Sequence, residues 1–243
     1  MKFISDIYWD KGLRENNQDS LILEQVVTVK GRVLLAAVSD GVGGLLEGEV
    51  VSGFILEKVH AHFYDEILPL IRRGKSRKIL EKSFHRCFYD INRKLKQYAA
   101  EKKIGLGATL SLLLLWKRQY LIMHIGDSRI YGIRSQWLRK SPTIRLLTRD
   151  HIRADGSLYK CLGGFPYQAA DAVTGKRGAK MGFLLCSDGF YHRQRSKMLR
   201  DLLDPLEIEE EEQIKRRLRQ MALHAMNGGE KDNISAIYVC CKS

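Results

Sequence analysis

The sequence predicts an α+β fold in which antiparallel sheets are covered by helices. The first observation is that apolar, strand-like segments follow one another in runs with only short turns between them, which favours antiparallel pairing over β–α–β units. The second is that amphipathic helical segments are grouped, two in the middle of the chain and one near its end. Two stacked sheets with helices on each outer face would satisfy both observations.

The N-terminal part of the chain predicts strands followed by helices. The predicted strands span residues 3–10, 20–29 and 32–39. Lys30 and Gly31 separate the last two, so we expect a hairpin there. After Gly48 the apolar period becomes helical. The two helical faces consist of Val51, Ile55, Val59 and Phe63, then of Leu80, Phe84, Phe88, Ile91 and Leu95. Pro69 and Gly74 predict the break between these helices.

The C-terminal part returns to strand character. Its predicted strands span residues 108–116, 119–126, 128–134, 144–148, 182–187 and 234–241. The segment 149–181 is rich in glycine and polar residues, so we expect it to be mostly loop. Helices are predicted at 194–203 and 209–226, and the acidic run Glu209–Glu212 would lie favourably at the positive N-terminus of the second one.

Composition excludes several classes of protein. No stretch of roughly 18 apolar residues occurs, so no transmembrane helix is expected, and the N-terminus lacks the apolar core of a signal peptide. The five cysteines show no CxxC spacing, which predicts reduced thiols in a cytoplasmic protein. The formal charge is +13, but the basic residues are scattered and no nucleic-acid motif accompanies them. We therefore favour a solvated surface that attracts anions over a nucleic-acid interface.

Aspartates in short, separated phrases are the main candidates for chemistry. Asp40 and Asp188 each follow an apolar run and a serine and precede a glycine, while Asp19 precedes the second predicted strand and Asp232 the last. Each alone would be explained as an ordinary turn residue. Together they predict carboxylates that meet at one rim of a sandwich. Clusters of carboxylate oxygens suit hard cations, chiefly Mg²⁺ and Mn²⁺.

Several neighbouring residues could assist such a cluster. Arg14 could bind a phosphate through its planar guanidinium, although in so basic a chain an ordinary surface arginine is a strong alternative. Gly43 and Gly44 would allow the backbone to approach a ligand, or simply form a tight turn. Asp127, in the phrase HIGDSRIYGI, alone indicates only a hairpin turn.

The order of these phrases resembles a known family. The phrases GLRENNQDS, VSDGVGGLLEGEVVS, GATLSLLL, IGDSRIYGI, LLTRDHI, LLCSDGF and KDNISAIYV occur along the chain from about Gly12 to Val239. They resemble the motifs of the type-2C, metal-dependent Ser/Thr protein phosphatases, and are most similar to those of bacterial members. Each motif alone is weak, whereas all of them in the family's order are specific. The resemblance implies one catalytic domain over residues 1–243 with a four-layer α-β-β-α sandwich and a two-metal site at one rim.

The resemblance also implies roles for individual residues. Asp40 would bridge both metals, and the Gly41 carbonyl would bind one of them. Asp188 and Asp232 would hold the first metal. The remaining implied roles are Asp19 beside the metal waters, Arg14 on the substrate phosphate, and Asp127 at a third, weaker metal. Gln18 stands where the family often has a glutamate, and Asn233 follows Asp232 as the motif expects.

Three positions depart from the family's pattern. Val42 stands where eukaryotic members carry a histidine proposed as general acid. Bacterial members usually have an apolar residue there too, so water would protonate the leaving group. The segment after His151, where many relatives insert a longer flap, is short. His192 stands where bacterial relatives usually have an aspartate that, with Asp127, serves the third metal. His151 and Asp150 are expected to hold a loop rather than perform chemistry.

The leading hypothesis is a cytoplasmic Mg²⁺- or Mn²⁺-dependent phosphatase acting on phosphoserine and phosphothreonine in proteins. It would oppose a Ser/Thr kinase, act as a monomer, and neither bind nucleic acid nor span a membrane. The alternative is a catalytically silent member that binds phosphoproteins or serves as a scaffold. Silent relatives usually lack the metal-binding aspartates, whereas this chain has Asp19, Asp40, Asp188 and Asp232.

Overall fold

The computed structural model describes residues 2–42, 47–135, 141–164 and 166–242. Within these ranges the strands are β1 (Lys2–Asp10), β2 (Asp19–Thr28), β3 (Gly31–Asp40), β4 (Leu110–Trp116), β5 (Gln119–Ile125), β6 (Arg129–Arg134), β7 (Thr143–Leu146), β8 (Asp171–Lys176), β9 (Met181–Cys186) and β10 (Ile234–Lys242). The helices are α1 (Gly48–His62), α2 (Leu68–Arg72), α3 (Arg77–Lys102), α4 (Asp188–Tyr191), α5 (Ser196–Leu202) and α6 (Glu211–Asn227).

The strands form two antiparallel sheets, which confirms the predicted α+β class. In the described residues one sheet has the order β1-β10-β9-β6-β7 and the other β2-β3-β4-β5-β8. One apolar core lies between the two sheets. A second core packs α1 and α3 on the outer face of the β2–β8 sheet, and a third packs α4, α5 and α6 on the outer face of the other. The molecule is therefore the four-layer α-β-β-α sandwich that the resemblance implied.

The central strands are apolar on both faces because both faces are covered. In β3, Leu34 and Ala36 point into the core between the sheets, whereas Leu35 and Ala37 point towards the helices. All four are fully buried. Burying a leucine side chain stabilises the fold by roughly 1.5–3 kcal/mol, so these continuous apolar runs fix the strands that carry the candidate aspartates at their ends.

The segment 149–181 is mostly loop, as expected, but one strand in it was missed, and the helix break expected at Pro69 is not found there. The segment 149–181 contains β8, which pairs with β5 from Gln119↔Lys176 to His124↔Asp171. It is an edge strand with alternating half-exposed and exposed side chains, so its sequence carries no apolar run. The helical path also does not break at Pro69. A wider π-helical turn, Phe63–Ile67, leads into α2, and the chain leaves the helix only near Gly74, at φ 69°. The wider π-helical turn just before Pro69 accommodates a residue that has no N–H to donate.

No helix in the described ranges combines the length and the apolar character needed to cross a bilayer.

Candidate active site

The ends of four strands bring the candidate aspartates to one rim of the sandwich. Asp19 begins β2 and Asp40 ends β3, and the two are direct partners in the antiparallel ladder. Asp188 begins α4 just after β9, and Asp232 precedes β10, which pairs with β9. A cavity of about 90 Å³ opens at this rim. It is lined by Gln18, Asp40, Gly41, Val42, Thr109, Asp127, Leu158, Asp188 and Asp232.

Backbone hydrogen bonds fix Asp40 and Gly41 at this rim. The Asp40 N–H donates to Thr109 Oγ1 at 3.1 Å, and the Thr109 N–H donates to the Asp40 carbonyl at 2.8 Å. The Gly41 N–H donates to the Gln18 carbonyl at 3.1 Å. A Cβ atom at position 41 would lie 2.6 Å from the carbonyl oxygen of Gly48, so the approach of α1 requires a glycine. Thr109 was not singled out from the sequence, although it lies in the quoted phrase GATLSLLL.

Asp19 lies behind the cavity and not on its wall. Its side chain is buried, and its Oδ2 accepts a hydrogen bond from Ser187 Oγ at 2.9 Å. Its Oδ1 is buried without a hydrogen-bond partner in the part of the chain that the structure describes. Burial, together with the charges of Asp188 and Asp232, raises the pKa of Asp19 to about 7 against the opposing influence of Ser187 and Ser235. An unsatisfied buried carboxylate oxygen fits a site that is completed by a cation and its waters.

The pKa values of Asp40, Asp127 and Asp188, which line the cavity, are raised as well. Burial and then the neighbouring charge of Asp19 hold the pKa of Asp40 well above its usual range. Burial and the charge of Asp188 raise the pKa of Asp127 to about 6, and burial raises that of Asp188. Positive charge placed in this cavity would relieve the repulsion. The donors are all oxygens, which suits Mg²⁺ or Mn²⁺.

The carboxylates line the cavity without converging on one point. Among the described residues, no three His, Cys, Asp or Glu side chains form a group that could already hold an ion. One reason is that Asp232 is engaged elsewhere. Arg14 Nε donates to its Oδ1 at 3.1 Å, and Arg14 Nη2 donates to its Oδ2 at 2.9 Å. This hydrogen-bonded pair raises the pKa of Arg14, and a cation at Asp232 would have to compete with the guanidinium.

Asn233 holds the loop that carries Arg14 against the last strand. Its side-chain amide donates to the carbonyls of Lys11 and Asn16 at 2.9 and 3.0 Å. Its Oδ1 accepts from the Gln18 N–H at 2.8 Å. The motif position of Asn233 was recognised from the sequence, but these contacts show what the residue does: it places Arg14 and Gln18 at the rim.

Asp127 reaches the cavity from the turn between β5 and β6. Its carbonyl accepts a hydrogen bond from Tyr191 Oη at 3.2 Å. The Tyr191 ring lies 3.8 Å from the guanidinium carbon of Arg129, which in turn forms an ion pair with Asp150 at 2.7 Å. Asp150 thus holds a loop, as expected. Sequence reasoning missed Tyr191 and Arg129, because an aromatic or basic residue beside an aspartate phrase carries no distinctive signal.

His192 lies next to this turn at the end of α4. Its backbone N–H donates to the Asp188 carbonyl at 2.9 Å, and its exposed ring packs edge-on against Tyr191, with the centroids 4.8 Å apart. Its ring lies close enough to Asp127 and Asp188 to oppose the rise in their pKa values. His192 is therefore a neighbour of the carboxylates at the rim.

The remaining candidates frame the entrance to the cavity. Val42 lines it with an apolar side chain. Gly43 and Gly44 lie outside the described residues. Residues 152–158 form a short hairpin, closed by a bridge between Ile152 and Leu158, and Leu158 reaches the cavity wall. The segment where many relatives insert a longer flap is thus a small cover on one side of the site.

A family model described as "Protein phosphatase 2C" matches residues 13–228 of this chain. The serine/threonine protein phosphatase PstP of Mycobacterium tuberculosis is 28% identical over 258 residues, which cover 94% of this chain and 43% of that protein. The serine/threonine phosphatase stp of Listeria innocua is 24% identical, covering 95% of this chain and 92% of that protein. The chain thus spans less than half the length of the PstP relative but nearly all of the Listeria one.

Solved structures share the fold. Stp1 from Staphylococcus aureus, a serine/threonine phosphatase, superimposes with a TM-score of 0.82 at 22% identity, covering 100% of this chain and 96% of that one. The catalytic domain of PstP in complex with two manganese ions superimposes with a TM-score of 0.75 at 22% identity and covers 99% of both chains.

Proposed function

The chain belongs to the protein phosphatase 2C family, and from this premise we propose that it hydrolyses phosphoserine and phosphothreonine in proteins with the help of Mg²⁺ or Mn²⁺. One observation carries the proposal: Asp40, Asp127, Asp188 and Asp232 line a single cavity with Arg14 at its edge. Carboxylates offer the ligands that such cations prefer, and an arginine beside them offers a partner for phosphate.

The oxygen donors have distinct parts in this proposal. Asp40 would bind both cations and the Gly41 carbonyl one of them, with Asp188 and Asp232 on the first cation. Asp19 is buried behind the cavity and its Oδ1 has no hydrogen-bond partner among the described residues, so it would orient water there. Asp127 would hold a weaker third ion. The cations, when bound, would supply a nucleophile at neutral pH and neutralise charge on the phosphoryl group. The two manganese ions of the related PstP structure support this class of cofactor.

The other residues at the rim would bind and orient the substrate. The Arg14 guanidinium would exchange its hydrogen bonds to Asp232 for hydrogen bonds to two phosphate oxygens, which its planar arrangement of N–H donors favours. Gln18 lines the cavity with a neutral amide whose N–H groups could donate to a phosphate oxygen. Val42 has no proton to give, so the leaving alkoxide would take its proton from water.

The finer points of the proposal concern the setting of the reaction. Residues 1–243 would form one catalytic domain that works as a monomer in the cytoplasm on proteins phosphorylated by a cognate Ser/Thr kinase. The scattered positive charge of the chain, +13 overall, would favour phosphorylated and acidic substrates without forming a nucleic-acid interface.

Hydrolysis of a phosphothreonine peptide tests the proposal. We expect turnover with added Mn²⁺ and none in excess chelator, with recovery when Mn²⁺ is restored. Asp40→Asn and Asp188→Asn should each lower turnover on the order of a hundredfold or more, since each removes charge at the centre of the site. Undiminished turnover in excess chelator would refute the cation-dependent mechanism. A well-folded wild-type protein with no turnover under any cation would favour the silent, phosphoprotein-binding alternative.

A further inference from the structure

His151 and Gly126 are joined by two reciprocal hydrogen bonds beneath the turn that carries Asp127. The backbone N–H of His151 donates to the Gly126 carbonyl at 2.8 Å. The Gly126 N–H donates to Nδ1 of the His151 ring at 2.9 Å, and this contact is buried. The imidazole is thus hydrogen-bonded to the backbone of Gly126, the residue just before Asp127.

The Gly126 N–H depends on this acceptor because of its place in the chain. Strand β5 ends at Ile125, so the sheet ladder does not reach residue 126. Gly126 has φ 111°, and a Cβ atom there would lie 2.5 Å from Cβ of Thr109. The backbone is therefore packed tightly in a conformation that only glycine adopts readily. A buried N–H without a partner is costly, so the ring nitrogen of His151 decides whether this turn conformation is stable.

The other ring nitrogen of His151 has neighbours of its own. Because Nδ1 accepts from Gly126, the neutral ring carries its proton on Nε2. Nε2 lies 3.2 Å from Asp171 Oδ2 and 3.5 Å from Lys160 Nζ. The buried Lys160 holds the same carboxylate through Nζ, at 2.7 Å from Oδ1. Burial and the charge of Lys160 lower the pKa of His151, which keeps the ring neutral and Nδ1 free to accept.

The neighbouring rings keep this imidazole in its plane. His124 stacks on it at a centroid distance of 4.9 Å and an angle of 22°. Tyr159 packs edge-on against it at a centroid distance of 5.6 Å. His124 itself bonds Ser111 and the Arg149 carbonyl and does not bond Gly126. Of these two adjacent buried histidines, His151 is the one that is hydrogen-bonded to Gly126.

We propose that His151 is a positioning residue for the candidate site: its Nδ1 holds the Gly126 N–H and so sets the carboxylate of Asp127 at the rim of the cavity. Asp171 and Lys160 contact the ring on its Nε2 side. The role of Asp127 as a cation ligand rests on the function proposed above, whereas the grip on Gly126 does not. Partners that orient metal ligands typically change metal affinity or activity by roughly 10- to 100-fold when removed.

Two neutral substitutions separate the two ring nitrogens. In His151→Asn the side-chain oxygen can take the place of Nδ1 and accept from Gly126, while the Nε2 donor is lost. In His151→Gln the amide reaches the place of Nε2 and the acceptor for Gly126 is lost. A merely structural role as a packed ring would make both variants equally damaging. His124→Gln, which removes the stacked neighbour, is the matched control for general loss of packing.

The first readout is amide hydrogen exchange of Gly126 by NMR in the full chain without added cation. We expect strong protection in the wild type, in His151→Asn and in His124→Gln, and loss of protection in His151→Gln. The second readout is calorimetric titration with Mn²⁺. The weakest binding step should fall by roughly 10- to 100-fold in His151→Gln and change by less than about threefold in His151→Asn.

The results that overturn the proposal are equally defined. They are an unprotected Gly126 amide in the wild type, equal loss of protection in His151→Asn and His151→Gln, or unchanged protection and Mn²⁺ binding in His151→Gln. Should His151→Gln fail to fold, His151→Asn decides: retained Gly126 protection supports the role and lost protection refutes it. Failure of the proposed function looks different, because phosphopeptide turnover would then be absent while the exchange pattern of Gly126 still followed the acceptor at position 151.

Discussion

The ion pair between Arg14 and Asp232 predicts that one substitution will move two properties of the site in opposite directions. In Arg14→Ala the carboxylate of Asp232 is released for a cation, so Mn²⁺ should bind more tightly. The same change removes the proposed grip on phosphate, so kcat/KM for a phosphothreonine peptide should fall. Loss of a general structural residue would instead weaken both.

The size of the first effect follows from the exposure of the pair. The two N–H···O contacts are 3.1 and 2.9 Å long, but the side chains are 54% and 36% exposed. Exposed pairs of this kind are worth roughly 0.2–1 kcal/mol. Mn²⁺ affinity should therefore rise about 1.4- to 5-fold in Arg14→Ala, as the conversion of that energy gives. The fall in kcat/KM should be larger, on the order of a hundredfold, as for removal of a donor to developing charge.

Calorimetric titration with Mn²⁺ and phosphopeptide kinetics at saturating Mn²⁺ measure the two effects separately. Arg14→Lys is the control: it keeps a positive charge beside Asp232, so Mn²⁺ affinity should stay near that of the wild type. Its kcat/KM should recover only in part, because an ammonium cannot reproduce the planar fork. Weaker Mn²⁺ binding in Arg14→Ala, or an unchanged kcat/KM, would refute this reasoning.

Two further predictions concern histidines. His192→Asp should place a second carboxylate beside Asp127 and tighten the weakest Mg²⁺ step in a calorimetric titration, with little change in the tighter steps; superimposable titrations would show that position 192 does not face a cation. Burial, then the neighbouring His151, lowers the pKa of His124 from 6.5 to about 4. The unfolded chain therefore takes up the proton first, and stability is lost as pH falls from 6.5 towards 4. That difference of about 2.5 pH units amounts to roughly 3 kcal/mol. Urea unfolding of the wild type and His124→Gln across this range measures it, and parallel curves would contradict it.

Most of the fold could be predicted from the sequence because most strands and helices have distinct local patterns of apolar residues. β3 and β4 are apolar on both faces, so they were recognisable as strands without knowledge of their neighbours. β8 was missed for the opposite reason. Its sequence, DAVTGK, has no apolar run, and it is a strand because the free edge of β5 pairs with it. Pro69 predicted a helix break that does not occur, because a π-helical turn just before it accommodates the proline.

By itself, the sequence determined which residues stand at the ends of strands, and for that reason the local patterns alone were enough to group Asp19, Asp40, Asp188 and Asp232. Only the tertiary structure decided how those side chains meet their partners. Arg14 pairs with Asp232 across 218 residues of chain, and His151 bonds Gly126 across 25. The physical reason is that a strand end is set by neighbouring residues, whereas a hydrogen bond between two loops depends on the packing of every layer between them.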